Sequence, residues 1–209
     1  MITIPKLEYA VKQANNYETP IRTFAYDPKI FVLIGKSASG KSSFAKDICE
    51  KINIQQIISC TSRPPRQNEV NGIDYNFLNI EDFNSNDFIA CETYKNWKYG
   101  VRKTDVERPR NSIIVLTPSG FREFKEQWGD RVVGIYLMSK TLDRVQRSMD
   151  RDRIDPETMT EIVRRLRTDD QDFYEFEFEA DYLVINKGEY NKVLNQVIEI
   201  IVKETLGLV

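Results

Sequence analysis

Short apolar runs recur along the chain, and helical patterns separate most of them. Each run is too short for a helix, so we interpret it as a buried strand. The runs occupy residues 30–34, 56–60, 113–117, 132–137 and 183–185. After the first run, apolar residues recur at the spacing of one helix face: Phe44, Ala45, Ile48 and Ile52. Strands that alternate with helices predict an α/β fold with a parallel sheet flanked by helices, which binds ligands at the carboxyl ends of its strands.

Residues 61–105 break this alternation. Short β-like pieces replace the helices there, and the turn pair Asn71-Gly72 lies among them. The pieces are Asp74–Leu78, Phe88–Glu92 and Trp97–Arg102. The segment therefore predicts a small β-rich lobe that is inserted into the sheet domain.

The remaining segments complete the predicted organisation. Residues 1–29 form a polar N-terminal arm, for which we favour packing on the main domain over binding a partner. Residues 30–60 and 106–209 form the core domain. Residues 140–168 are strongly basic on a helical pattern, and they predict a helical lid at about 140–160 within the core.

The loop after the first strand carries the most informative motif. Gly35–Ser42 reads GKSASGKS and fits G-x-x-x-x-G-K-[ST], the P-loop that holds nucleoside triphosphates. Its backbone N–H groups and the following helix dipole attract phosphate oxygens. Lys41 would reach the β- and γ-phosphates, and the Ser42 hydroxyl would hold Mg²⁺. The predicted ATP-binding residues of this loop are Gly35, Lys36, Ser37, Ala38, Ser39, Gly40, Lys41, Ser42 and Ser43. The alternative is a glycine-rich turn that binds nothing.

Composition narrows the function classes. Lys and Arg total 30 and Asp and Glu total 32, so no basic excess points to a nucleic acid partner. The chain has no His, which removes His-based catalysis and His-ligated metals. Cys49, Cys60 and Cys91 are widely spaced, which argues against a disulfide framework or a zinc site. No apolar run approaches membrane-spanning length, so we expect a cytoplasmic protein without a membrane partner.

A second constellation follows in the segment TSRPPRQNEVNGIDYNF. Arg63 and Arg66 lie three residues apart in a proline-stiffened turn. Two guanidinium groups in fixed geometry form a fork for a second phosphate. The alternative is a turn that surface ion pairs hold together.

These motifs resemble the guanylate kinase family, whose monophosphate-binding lobe carries S-x-x-T-x-R-x-P-R-x-x-E-x-x-G-x-D-Y. The matching residues here are Ser59, Thr61 at one offset, Arg63, Pro65, Arg66, Glu69, Gly72, Asp74 and Tyr75. The later W-K-Y-G, with Tyr99 and Gly100, is similar to the family's Y-Y-G. The resemblance extends from about Phe31 to Asn186.

The resemblance implies transfer of the γ-phosphoryl group of ATP to GMP or dGMP, with Mg²⁺ as cofactor. The implied residues for the acceptor monophosphate are Ser59, Arg63, Arg66, Tyr75 and Tyr99. Arg147 and Arg151 of the lid, with Arg165 of the next helix, would close on the phosphates and join Lys41 in catalysis. Asn186 would lie near the donor adenine. The oligomeric state stays open between monomer and homodimer.

The base-reading residues depart from the family pattern. An ungapped alignment puts Ala90 where the family has the acidic residue that reads guanine. Glu92, two residues later, would serve only in a bulged or re-registered strand. Val115 and Thr117 stand at the places of two family aspartates, and we assign Glu92 and Thr117 to the acceptor site. The alternatives are a kinase for another (deoxy)nucleoside monophosphate or a phosphorylated sugar, and a catalytically silent binding module.

Overall fold

The computed structural model describes residues 28–208, except 67–68, 85 and 152–154. The strands in this part of the chain are β1 (Ile30–Ile34), β2 (Gln55–Gln56), β3 (Cys60–Thr61), β4 (Asn76–Phe77), β5 (Phe88–Tyr94), β6 (Trp97–Arg102), β7 (Ser112–Val115), β8 (Val132–Met138) and β9 (Tyr182–Ile185). The α-helices are α1 (Lys41–Ile52), α2 (Lys103–Val106), α3 (Pro118–Trp128), α4 (Thr141–Arg151), α5 (Pro156–Asp172) and α6 (Tyr190–Thr205). Short 3-10 turns occupy Ile80–Asp82, Gly129–Arg131 and Phe176–Phe178.

The larger of the two described sheets is parallel and has the strand order β2-β7-β1-β8-β9. All side chains of β1 are buried, because the strand lies at the centre of the sheet and both faces are covered. Ile30, Val32 and Ile34 face one core, which includes aromatic residues of α3 and of the segment after α5. Phe31 and Leu33 face the other core, which α1 and α6 cover. The predicted α/β fold with a parallel sheet flanked by helices is confirmed.

The smaller sheet has the order β4-β3-β6-β5 among the described residues. Its main part is the antiparallel pair β5–β6, whose register shifts between Ile89 and Glu92. Ile89 lies opposite Val101 and Glu92 opposite Tyr99, so β5 contains one extra residue. Ala90 lies in this bulge with φ of 51°. The sequence placed β structure here and made a role for Glu92 depend on a bulged or re-registered strand, which the structure contains.

Several predicted strands have different bounds in the structure, and β5, β8 and β9 are each one or two residues longer than predicted. The run at 56–60 is not one strand: Gln55–Gln56 pairs in the large sheet, and Cys60–Thr61 pairs in the small sheet. The run at 113–117 ends at Val115, because Thr117 caps α3. The piece predicted at Asp74–Leu78 shortens to Asn76–Phe77.

The division into arm, core and inserted lobe stays a prediction. Residues 1–27 of the arm lie outside the described residues. In the described part of the chain, no helix is both long enough and apolar enough to cross a membrane. The carboxyl ends of β1, β7, β8 and β9 meet at one edge of the large sheet, and the P-loop leaves β1 at that edge.

Candidate active site

The P-loop runs from the end of β1 into α1, as the motif predicts. Gly35 must be a glycine, because a Cβ there would lie 2.5 Å from the Ser39 Oγ and 2.8 Å from the Leu137 carbonyl oxygen. Gly40 caps α1 with φ of 94°, and Ala38 has φ of 58°. Such left-handed conformations cost an L-residue about 1 kcal/mol or more, so the surroundings must hold Ala38 in place.

Lys41 lies across this loop. Its Nζ donates to the carbonyl oxygens of Gly35 at 2.6 Å and Lys36 at 3.1 Å. Burial lowers its pKa to about 8; the charges of Arg144 and Arg151 also lower it, and Asp169 opposes the shift. Within the described part of the chain, the hydrogen-bonding partners of the ammonium group are these two uncharged carbonyl oxygens, a position from which it can turn to phosphate oxygens.

Side chains from α4 and from the ends of β8 and β9 donate hydrogen bonds to the carbonyl groups of Ala38 and Ser39 in the loop. Asn186, which follows β9 and is buried, donates from Nδ2 to the Ser39 oxygen at 2.8 Å. Ser139 reaches the same oxygen at 3.5 Å, and the Arg147 guanidinium reaches the Ala38 oxygen at 3.4 Å. Asn186 and Arg147 thus contact the P-loop itself. The predicted place of Asn186 beside adenine stays a prediction.

The carboxylate of Glu69 holds the turn at residues 63–66, which we call the acceptor turn after its predicted role. Arg63 is only 6% exposed and pairs with Glu69 at 2.8 Å, and its guanidinium lies 5.6 Å from the Tyr75 ring centroid. Glu69 also accepts from the Arg66 backbone N–H at 2.8 Å. The Arg66 side chain is half-exposed and contacts Glu69 only weakly, at 3.5 Å. Arg63 is therefore fixed, whereas Arg66 is available to a ligand.

The other predicted acceptor residues border this turn. The rings of Tyr75 and Tyr99 lie 6.2 Å apart, edge to face. Burial, together with the nearby Tyr99, raises the pKa of Tyr75, so its hydroxyl stays protonated and can donate. Ser59 lies just before β3, where its carbonyl accepts from the Asn76 backbone N–H.

Cations from the predicted lobe and from helices α4 and α5 lie near one another. Partial burial lowers the pKa of Arg66, and the charges of Arg63, Arg165 and Arg151 lower it further. Arg151 also lowers the pKa of Lys41, so it lies within electrostatic reach of both Lys41 and Arg66.

The bulge in β5 decides whether Ala90 or Glu92 meets the hydroxyl groups at the start of α3. It leaves Ala90 buried and in contact range of α3, near Gly120. Glu92 then meets two hydroxyl groups at the start of α3. Thr117 Oγ1 donates to its Oε1, and Ser119 Oγ donates to the same oxygen at 2.6 Å. Among the described residues, hydrogen bonds to Glu92 fall on Oε1 alone, which leaves Oε2 to accept from a ligand.

Comparison with known proteins shows to which family the chain belongs. The model of the family described as "Guanylate kinase" matches residues 27–204. The chain belongs to the guanylate kinase family.

Individual relatives agree with this assignment. A guanylate kinase of Mycoplasma genitalium is 30% identical over 190 residues, which cover 84% of this chain and 76% of that protein. A guanylate kinase of Bacteroides fragilis is 29% identical over 133 residues, or 59% of this chain. That match spans 65% of the Bacteroides protein, less than two thirds of its length. The crystal structure of guanylate kinase from Anaplasma phagocytophilum has the same fold, with a TM-score of 0.64, 24% identity and coverage of 85% and 86% of the two chains.

The donor set of the P-loop fits the magnesium that this family implies. Ser42 and Ser43 are exposed in the first turn of α1, where the Ser42 hydroxyl offers a hard oxygen ligand. No cluster of three or more His, Cys, Asp or Glu residues in the described part of the chain could hold a metal. A magnesium ion would therefore take its other ligands from phosphate oxygens and water.

Sequence reasoning missed two residues of the site. Arg144 and Asp169 both contact Ser37, a predicted residue of the P-loop. The hydroxyl of Ser119, two residues after Thr117, was visible in the sequence, and it contacts Glu92. Arg144 and Asp169 lie in a basic and an acidic run, where most charges are solvated, so nothing in the sequence singled them out.

Proposed function

We propose that this chain transfers the γ-phosphoryl group of ATP to GMP or dGMP. The observation that carries the proposal is the P-loop with Lys41 across its carbonyl groups, and the charge of Arg151 reaches both Lys41 and Arg66 in the acceptor turn. Two phosphate-binding loops that face one cationic space are what phosphoryl transfer between two nucleotides needs.

On the donor side, catalysis consists of positioning and charge stabilisation. The loop N–H groups hold the β- and γ-phosphates, and Lys41 leaves the carbonyl oxygens of Gly35 and Lys36 for phosphate oxygens. Negative charge spreads over the equatorial oxygens of the transferred group, and Arg147, Arg151 and Arg165 stabilise it. Ser42 would hold Mg²⁺, which supplies charge neutralisation between the β- and γ-phosphates.

On the acceptor side, Arg63 and Arg66 bind the monophosphate. Arg63 keeps its pairing with Glu69 and its position over Tyr75. Arg66 exchanges its weak contact with Glu69 for the phosphate. Tyr75 and Tyr99 border the same phosphate and donate from their hydroxyl groups. The acceptor oxygen is thereby aimed at the γ-phosphorus.

At the base, Glu92 reads guanine. A carboxylate accepts from the N1–H and N2–H of guanine, and adenine has no matching pair of donors. Thr117 and Ser119 fix Oε1 of Glu92 by donating to it, which orients the carboxylate so that Oε2 can face the base. This arrangement favours a guanine nucleotide over the alternative acceptors.

A coupled assay of ADP formation tests the proposal, with GMP, dGMP, AMP, other nucleoside monophosphates and phosphorylated sugars as acceptors. We expect turnover with GMP and dGMP, and its loss in Lys41→Ala. Lys46→Ala, which changes an exposed lysine on the same helix, is the matched control and keeps wild-type turnover. Turnover with another acceptor alone would identify a different kinase. GMP binding without any turnover would identify a silent binding module.

A further inference from the structure

A buried ion pair lies behind the P-loop. Arg144 of α4 is 2% exposed and Asp169 of α5 is 8% exposed, and their Nη1 and Oδ2 atoms lie 2.8 Å apart. Burying two charges is costly unless good geometry and further hydrogen bonds compensate, so such a pair calls for a reason. The proposed reaction uses neither residue.

Both Asp169 and Arg144 also form hydrogen bonds with one residue of the loop, Ser37. Asp169 Oδ2 accepts from the Ser37 backbone N–H at 2.9 Å, and its Oδ1 accepts from the Ser37 Oγ at 3.1 Å. Arg144 donates to the Ser37 carbonyl oxygen at 3.4 Å. The pair thus holds both the N–H and the C=O group of Ser37, which fixes the orientation of the two peptide planes that flank it.

The next residue explains why this hold is useful. Ala38 has φ of 58°, a left-handed conformation that an L-residue adopts only when its surroundings impose it. That conformation turns the following part of the loop towards its phosphate-binding shape. Fixing Ser37 on one side therefore keeps Ala38 in place before any nucleotide arrives.

The charges of the pair must also balance. A lone carboxylate behind the loop would repel the phosphates that the loop binds. Arg144 neutralises Asp169 and, at the same time, ties the loop to α4. Because α4 lies in the predicted lid and α5 follows it, the same contacts join the predicted lid to the donor site.

We propose that Arg144 and Asp169 are positioning residues of the donor site, which hold Ser37 and thereby keep the P-loop in the shape that binds ATP. This proposal rests on the proposed function for the identity of the donor nucleotide. It assigns the pair no contact with substrate.

The test compares ATP and GMP binding by calorimetry in variants of the ion pair and in a matched control. Asp169→Asn removes the charge at nearly constant shape, and Arg144→Met removes the cation while keeping apolar volume. Each should raise the Kd and KM of ATP about tenfold, the expected cost of a lost hydrogen bond to a charged group. The Kd of GMP should stay within twofold, which also shows that the variants are folded. Arg144→Lys, which keeps the charge but loses the planar fork, should recover part of the loss.

The matched control is Asp170→Asn. Asp170 is the next residue of α5, its side chain is 69% exposed, and it pairs with the Lys36 side chain rather than with the loop backbone. This variant carries the same charge change and should alter the Kd of ATP less than twofold. If a buried change prevents folding, Ser37→Ala removes the 3.1 Å bond to Asp169 alone and should weaken ATP binding about threefold.

Two results would overturn the proposal. A lower melting temperature with an unchanged Kd of ATP would show that the pair only stabilises the fold. A wild-type chain that binds no ATP would leave no donor site to position. Absence of GMP turnover in a chain that does bind ATP would instead contradict the proposed function and leave the comparison of ATP affinities valid.

Discussion

Glu92 offers the sharpest test of how the site reads its base. In Glu92→Ala, the N1–H and N2–H of guanine lose a charged acceptor inside a closed site. Each hydrogen bond to a charged group contributes about 1.5–3 kcal/mol. Because two hydroxyl groups already occupy Oε1, the available acceptor is mainly Oε2. We therefore expect a loss of about 2–3 kcal/mol rather than the full sum, or roughly 30- to 150-fold in kcat/KM for GMP.

The assay is kcat/KM for GMP and AMP on the native chain and on Glu92→Ala, with ATP saturating. The variant should lose GMP activity and gain little with AMP, so the preference for GMP falls by about the same factor. Thr93→Ala is the matched control, since it changes the next, exposed residue of β5.

A rival interpretation uses Ala90 and Thr117 as the base-reading positions and predicts weak native discrimination, which Ala90→Glu with Thr117→Asp would sharpen. The structure argues against it, because Ala90 is 8% exposed and has a positive φ, so a glutamate there would be buried and strained. A native chain that treats GMP and AMP alike, with no effect of Glu92→Ala, would refute our reasoning.

Three further predictions follow from the contacts around the acceptor turn and the lid. Arg66→Ala should raise the KM of GMP tenfold or more and leave the Kd of ATP unchanged, because Arg66 is placed for the acceptor phosphate; equal losses in calorimetry would place it elsewhere. A two-substrate mimic that joins adenosine and guanosine by a phosphate chain should slow amide exchange in both β5–β6 and α4–α5, whereas protection of the P-loop alone would indicate a rigid site. The Arg164 guanidinium, with Arg165, lowers the pKa of Glu161 to about 2, although burial opposes the shift. The ion pair of Glu161 therefore stabilises the fold fully above about pH 4.5, and this stabilisation disappears as the pH falls towards 2. In urea unfolding, Glu161→Gln should cost about 1 kcal/mol at pH 7, since the pair is partly exposed and screened, and nothing near pH 2.

The sequence alone was sufficient to locate those parts of the site whose residues are close together along the chain. The P-loop is contiguous, and its flanking strand and helix have clear periods, so the places of Lys41 and Ser42 at the start of α1 could be predicted directly. The turn with Arg63 and Arg66 was equally visible because its spacing is short. Both features need only residues that are close along the chain.

The features that the sequence did not predict depend on contacts between residues that are distant along the chain. The run at 56–60 reads Gln-Ile-Ile-Ser-Cys, and this short pattern does not show that the chain leaves one sheet and enters another. One inserted residue creates the bulge at Ala90, and alternation of side chains cannot reveal it, because the partner strand sets the register. Arg144 and Asp169 are 25 residues apart, and only the packing of α4 against α5 makes them partners.

Helix α5 also has a consequence for how the two nucleotides influence each other. Near its carboxyl end Asp169 holds the P-loop, and at its middle the Arg164 guanidinium stacks 4.5 Å from the ring centroid of Tyr94 in the lobe. One helix thus contacts both the P-loop and the predicted lobe. Linkage then requires reciprocity: if ATP draws α5 into a position that favours GMP, GMP must tighten ATP by the same factor. In that case the two substrates would bind with positive cooperativity.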